Sequence, residues 1–166
     1  MSEIIIREAQ PGDIRSVSDL LIKTWQATYE NIYTSDQIAD INRRWHNEDT
    51  LLKQLNASNQ LFLVAEQGSV IKGHLLARYL FDRTILLRRL YIMPDVQGKG
   101  IGKKLYQQML KTFPDAKSVR LEVEGQNLRA LQFYRALGFV NVARTDDCGG
   151  SSGIPALIME RLLENV

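Results

Sequence analysis

One cysteine, Cys148, occurs in 166 residues. A lone thiol closes no internal disulfide, so the stapled scaffold of a small secreted domain is excluded. Histidine is nearly as scarce. His46 and His74 lie far apart without the spacing of a ligand set, and no metal is expected. No apolar run approaches the roughly 20 residues that cross a bilayer, and no signal peptide opens the sequence. The expectation is a cytoplasmic protein with no membrane partner. Repeats, linkers and low-complexity tracts are also missing. What remains is an ordinary globular composition, 45% hydrophobic and 24% charged, long enough for a single domain over residues 1–166.

Net charge is only +2, yet it is unevenly spread. Residues 83–120 hold nine Lys and Arg against two Asp, which leaves the rest of the chain acidic. Nucleic acid would draw a broader basic surface with interleaved aromatics, and this segment offers only Tyr91, Tyr106 and Phe113. One small phosphorylated ligand suits it better. The segment contains residues 90–102, LYIMPDVQGKGIG, where an apolar run ends at Ile92, Pro94 forbids its continuation, and Gly98, Gly100 and Gly102 lead into an amphipathic run. That order reads strand, tight loop, helix. Glycines let the backbone approach a ligand, and the first turn of a helix offers unpaired N–H groups with a partial positive charge. Lys99, Lys103 and Lys104 add formal charge there.

Spacing discriminates among phosphate loops. A nucleotide P-loop needs GxxxxGK followed by Ser or Thr, whereas here Lys103 is followed by Lys104. A dinucleotide GxGxxG fails because the third glycine comes one residue early. The pattern left is Gln97-x-x-Gly100-x-Gly102, which resembles the acetyl-CoA loop of the GCN5-related N-acetyltransferases (GNAT). A second block, NLRALQFYRALGF, carries Asn127, Ala130, Tyr134, Gly138 and Phe139 at the spacing of another motif of that family, in the right order along the chain.

The remaining elements follow from periodicity. Residues 3–7 read as a strand, and a helix with apolar positions Ile14, Val17, Leu20, Leu21 and Trp25 follows Pro11. Further helices are expected over 35–45 and 49–55. Strands at 61–66 and 70–81 flank a Gln67-Gly68-Ser69 hairpin signal, and a third strand covers 84–92. The glycine loop's helix is expected over 98–112, stopped by Pro114. Residues 119–124 alternate cleanly, with Val119, Leu121 and Val123 on one face and Arg120, Glu122 and Glu124 on the other. A helix over 127–137 and strands over 139–145 and 154–162 close the chain, with 146–153 as a mobile loop between those strands.

The resemblance implies an α+β GNAT fold, a mixed, mainly antiparallel sheet of about seven strands with helices on both faces, whose fourth and fifth strands splay to admit acetyl-CoA. It implies that Leu90, Tyr91 and Ile92 border the pantetheine arm and that the Ile92 N–H steadies the oxyanion. The N–H groups of Gly98, Lys99, Gly100, Ile101, Gly102 and Lys103 would receive the pyrophosphate. Asn127 would hold the arm, although an Asn also serves as a plain helix cap. Tyr134 stands at the general-acid position. A phenol titrating near ~10 can protonate a departing thiolate, and an alkyl ammonium near ~10.4 needs a base to accept its proton. Glu122 is the candidate base, with Glu124 second and a solvated strand face as the alternative. Trp25, Tyr29 and Tyr33 recur every four residues, as stacked core aromatics or as a wall beside the acceptor. Asp146 is a candidate for an acceptor ammonium. Cys148 is expected to be a solvent-exposed bystander and transfer to be direct. The expected acceptor is a small cationic, polyamine-like amine, with a protein N-terminus or lysine as the alternative and a non-catalytic acyl-CoA-binding module as a third. A homodimer is left open.

Overall fold

In the computed structural model, residues 3–148 and 153–163 are described. Residues 149–152, most of the glycine- and serine-rich loop read from the sequence, lie outside them. Seven strands form one sheet in the order β1-β2-β3-β4-β5-β7-β6. They are β1 (Ile4–Glu8), β2 (Gln60–Gln67), β3 (Val70–Tyr79), β4 (Thr84–Ile92), β5 (Ser118–Glu124), β6 (Val140–Thr145) and β7 (Ala156–Leu162). Every neighbouring pair is antiparallel except β4 with β5. The helices are α1 (Ile14–Tyr29), α2 (Ser35–Trp45), α3 (Glu48–Asn56), α4 (Ile101–Thr112) and α5 (Leu128–Ala136).

Local chemistry accounts for most boundaries. Thr34 and Gln37 exchange a capping box at the start of α2, and the Asn47 side chain accepts from the Thr50 N–H at the start of α3. Gly68 and Ser69 both hold positive φ, the backbone of a tight hairpin turn between β2 and β3. The α4 helix begins three residues later than the periodicity predicts. Gly98 and Gly100 hold φ of +79° and +84°, outside the helical well, so 98–100 is loop and Gly100 is the N-cap.

Two apolar layers cover the sheet. On one face, Ile101, Leu105, Tyr106 and Met109 of α4, with Leu131 and Tyr134 of α5, pack on Leu75, Leu87, Leu121 and Val123. On the other, α1 and α3 pack Val17, Leu20, Leu21 and Leu51 against Phe62, Val64 and Leu76. Trp25, Tyr29, Ile38, Ile41 and Ile154 continue that layer beyond β4.

One irregularity in β4 positions the site. Leu76 pairs with Arg89 but its neighbour Ala77 pairs with Leu87, so Arg88 is an extra residue in β4. Such a bulge bends its strand and re-aims the side chains beyond it. Pairing between β4 and β5 ends one residue earlier, at Leu87 with Leu121, and from there the two strands part. The same extra residue shifts Arg89 and Tyr91 from the α4 face to the α1 and α3 face.

Candidate active site

The parted strands enclose a cavity of about 430 Å³, lined by Leu86 to Tyr91 of β4, Leu121 to Glu124 of β5, the α5 N-cap Asn127, and Ala130 and Tyr134 within α5. Trp25, Tyr29, Trp45, His46, Thr50 and Gln54 close it from the α1 to α3 side. Its two walls have different chemistry. The β4 wall exposes backbone. The Met93 N–H donates to the Lys72 carbonyl at 2.8 Å, so alternation turns the N–H and C=O of Leu90 and Ile92 away from β3 and toward the gap. The Gln97 side chain, donating to the Ile92 carbonyl at 3.1 Å, folds the loop back onto the end of the strand.

The glycine loop follows directly. No side chain caps α4 at Gly100, so the N–H groups of its first turn are available to an anion beside Lys99 and Lys103. Gly102 lies against α5, where an added Cβ would sit 3.4 Å from the Phe133 ring. Arg129 is exposed, and its guanidinium lies beside Gly98. The sequence reading did not single Arg129 out, although it stands two residues after Asn127.

Tyr134 is 9% exposed and borders the cavity. Burial, with Tyr91 and Tyr106 nearby, holds its hydroxyl well above the ordinary phenol range, and no group among the described residues hydrogen bonds it. It is therefore a protonated donor without a partner. Asn127 fills both readings given for it: its Oδ1 accepts from the Ala130 N–H at 3.2 Å as a cap, while its Nδ2 donates to the Tyr29 hydroxyl at 3.4 Å across the cavity wall.

Glu122 and Glu124 project from the same face of β5 and both line the cavity. Glu122 is exposed, as alternation predicts. Glu124 is not: it is 5% exposed, because the aromatic tail of α1 covers that end of the strand, and its carboxylate accepts from the Gln126 N–H at 2.8 Å. Trp25, Tyr29 and Tyr33 are at once a stack, with ring centroids 4.3 and 5.7 Å apart, and a wall, since the first two border the cavity. Tyr33 lies farther out, with burial and Glu124 pushing its hydroxyl up to about 12. Asp146 is exposed and does not border the cavity.

Cys148 differs from expectation. It is half-buried and lines the cavity, held there by its own N–H, which bonds the Ile154 carbonyl. Burial, then the neighbouring Glu122, pushes its thiol up to about 12. Arg89 was counted only as charge in the sequence reading. Beyond the bulge it enters the cavity, its Nε–H donating to His74 Nε2 at 3.2 Å and its Nη2 to Gln54 Oε1 at 2.6 Å.

These features have close counterparts among known proteins. The family model described as an acetyltransferase (GNAT) domain matches residues 29–163. The spermidine N(1)-acetyltransferase of Thermoplasma acidophilum is 29% identical over 98% of this chain and 99% of its own length. The thialysine N-epsilon-acetyltransferase of Sus scrofa is 29% identical over 83% of this chain and 85% of its own length. The crystal structure of the PaiA N-acetyltransferase of Thermoplasma acidophilum in complex with coenzyme A superposes with a TM-score of 0.85 at 27% identity, covering 97% of this chain and 99% of that one. A seven-stranded sheet parted between β4 and β5, an uncapped helix after a glycine loop, and a family match over most of the length converge: the chain belongs to the GNAT family and is an acetyltransferase.

Proposed function

We propose that the chain works as one catalytic domain that transfers an acetyl group from acetyl-CoA directly to the primary amine of a small, positively charged acceptor. The observation that carries this reading is the pairing, across one cavity, of an unbonded buried phenol on α5 with two carboxylates on β5. The residues present suit the co-substrate. The open edge of β4 at Leu90 and Ile92 offers hydrogen bonds to an amide-bearing arm as though to another strand, and the first turn of α4, with Lys99 and Lys103, suits a pyrophosphate. Acetyl-CoA supplies the activated acyl group.

Each remaining demand of the reaction falls to a residue of this chain. The acceptor arrives as an ammonium, and Glu122 takes its proton, directly or through water, with Glu124 enclosed behind it. The freed nitrogen forms the new C–N bond as the C–S bond breaks. The Ile92 N–H faces the charge that develops on the carbonyl oxygen. Tyr134 returns a proton to the leaving thiolate, and burial keeps that proton on the phenol until it is needed. Direct transfer is favoured over an acyl-enzyme because Cys148 is held protonated, the reverse of what a thiol nucleophile requires. A small acceptor is favoured because Trp25, Trp45 and His46 close the cavity on its α1 and α2 side.

Thiol release from acetyl-CoA, measured over polyamines, aminoglycosides, amino acids and short peptides with wild type and Tyr134→Phe, tests the reading. Release with one class of amine, weakened in the variant, is the expected result. Binding of acetyl-CoA with no acceptor consumed would favour a sensing module instead.

A further inference from the structure

The acceptor half of the cavity holds a cation that the reaction does not use. Arg89 lies where β4 has passed its bulge, half-buried in the cavity wall beside His74 and Gln54, and its charge meets no carboxylate among the described residues. Both of its hydrogen-bond partners are neutral. The Nδ1 of His74 lies 2.9 Å from the Leu63 carbonyl, which can only accept, so Nδ1 carries the hydrogen and Nε2 presents its lone pair to Arg89. Burial, followed by Arg89, holds His74 well below the usual imidazole range, which keeps that lone pair free at neutral pH. Gln54 supplies a carbonyl oxygen. Two of the five guanidinium N–H groups are thereby fixed, and the other three find no partner among the described residues. Burial also draws the Arg89 pKa down to about 10, the direction expected of a charge that is partly desolvated and has no carboxylate beside it. A half-buried guanidinium with three N–H groups turned to a cavity favours an anion that enters to share the site.

Across the same cavity stand Glu122 and Glu124. One pole is therefore positive and held by two hydrogen bonds, and the other is negative, with the phenol of Tyr134 bordering the same cavity. A polyamine satisfies only the second. Resting on the acetyl-transfer reading above, we propose that Arg89 receives a carboxylate of the acceptor through its free guanidinium edge, so that the acceptor is an amino acid, presenting its amine to Glu122 and its carboxylate to Arg89. The neutral partners His74 and Gln54 are positioning residues that set the plane of the fork.

Matched pairs differing only in the carboxylate provide the test: lysine against cadaverine, and ornithine against putrescine. Both tryptophans of the chain, Trp25 and Trp45, line the cavity. Their emission therefore reads acceptor binding in the presence of coenzyme A without any turnover. Wild type is expected to bind each amino acid more tightly than its diamine by roughly 10- to 100-fold, the scale of a charge-assisted hydrogen bond. In Arg89→Gln that gap should collapse through loss of amino acid affinity, while Arg89→Lys should restore part of it. Thiol release with acetyl-CoA should follow the same order, mainly through KM. Coenzyme A affinity and melting temperature report whether a variant is folded. Equal affinity for both members of each pair, or an unchanged gap in Arg89→Gln, overturns the proposal. So does a preference for succinyl-CoA over acetyl-CoA that vanishes in Arg89→Gln, since the carboxylate would then belong to the donor. If no amine releases thiol, the acetyl-transfer reading fails by itself, and the fluorescence titration still decides the role of Arg89.

Discussion

At the scale of single residues, Tyr134 and Cys148 make opposite predictions from similar surroundings. Both line the cavity and both hold their protons more tightly than usual because of burial. For an acid that is an asset, and Tyr134→Phe should lower kcat by about 100-fold or more while leaving coenzyme A affinity intact. For a nucleophile it is a handicap, so Cys148→Ser should transfer acetyl groups near the wild-type rate. Intact-mass measurement after mixing wild type with acetyl-CoA should show no acetylated enzyme, and an adduct lost in Cys148→Ser would sink direct transfer. Tyr134 and Asn127 were legible in the sequence because each sits in a motif whose spacing fixes its place on α5. Arg89 was not. Strict alternation from Ile85 puts it with Leu87 facing α4, and only the extra residue Arg88 turns it into the cavity. Glu124 was legible as a second candidate base, but its burial was not: period two gives its face of β5 and not the aromatic tail of α1 that covers it.

At the scale of elements, the glycine loop should respond to substitution in two distinct ways. An added Cβ at Gly100 meets nothing within 4 Å, so Gly100→Ala is strained only by its φ of +84°. The expected cost is about 1–2 kcal/mol, seen as a lower melting temperature together with a raised KM for acetyl-CoA as the N-cap adjusts. Gly102 has ordinary helical φ, and its Cβ would meet the Phe133 ring at 3.4 Å, an ordinary van der Waals contact. Gly102→Ala should therefore leave stability within about 1 kcal/mol of wild type or raise it, because alanine fills the contact and favours the helix. A marked fall in melting temperature for Gly102→Ala would mean that α4 and α5 cannot admit even one methyl group there. Element order was nearly complete in the sequence because turns and periods alternate so regularly: α2 and β4 begin and end where patterning puts them. The later start of α4 was hidden because glycine carries no preference for one hand of backbone.

At the scale of the whole molecule, the two histidines tie stability to pH. Neither belongs to a metal cluster among the described residues; His46 is 1% and His74 0% exposed. Burial, then Arg89, lowers His46 to about 3 and His74 well below its usual value. In the unfolded chain both titrate near ~6.5. Below that pH the unfolded state binds protons that the native state refuses, so stability is fully present above about 6.5 and falls as pH drops toward the native values. Each histidine contributes a slope of roughly 1.4 kcal/mol per pH unit, so urea unfolding at pH 5 should show a loss of order 4 kcal/mol relative to pH 7. His46→Gln should halve that slope whatever it does to absolute stability, because its neutral amide has no proton to gain. A wild-type curve flat between pH 7 and 5 would mean that the histidines are charged in the native protein, and His74 could then no longer accept from Arg89. Acid should thus weaken the fold while leaving the Arg89 fork in place in the molecules that stay folded, because the same burial that keeps the proton off native His74 also keeps its Nε2 lone pair on Arg89.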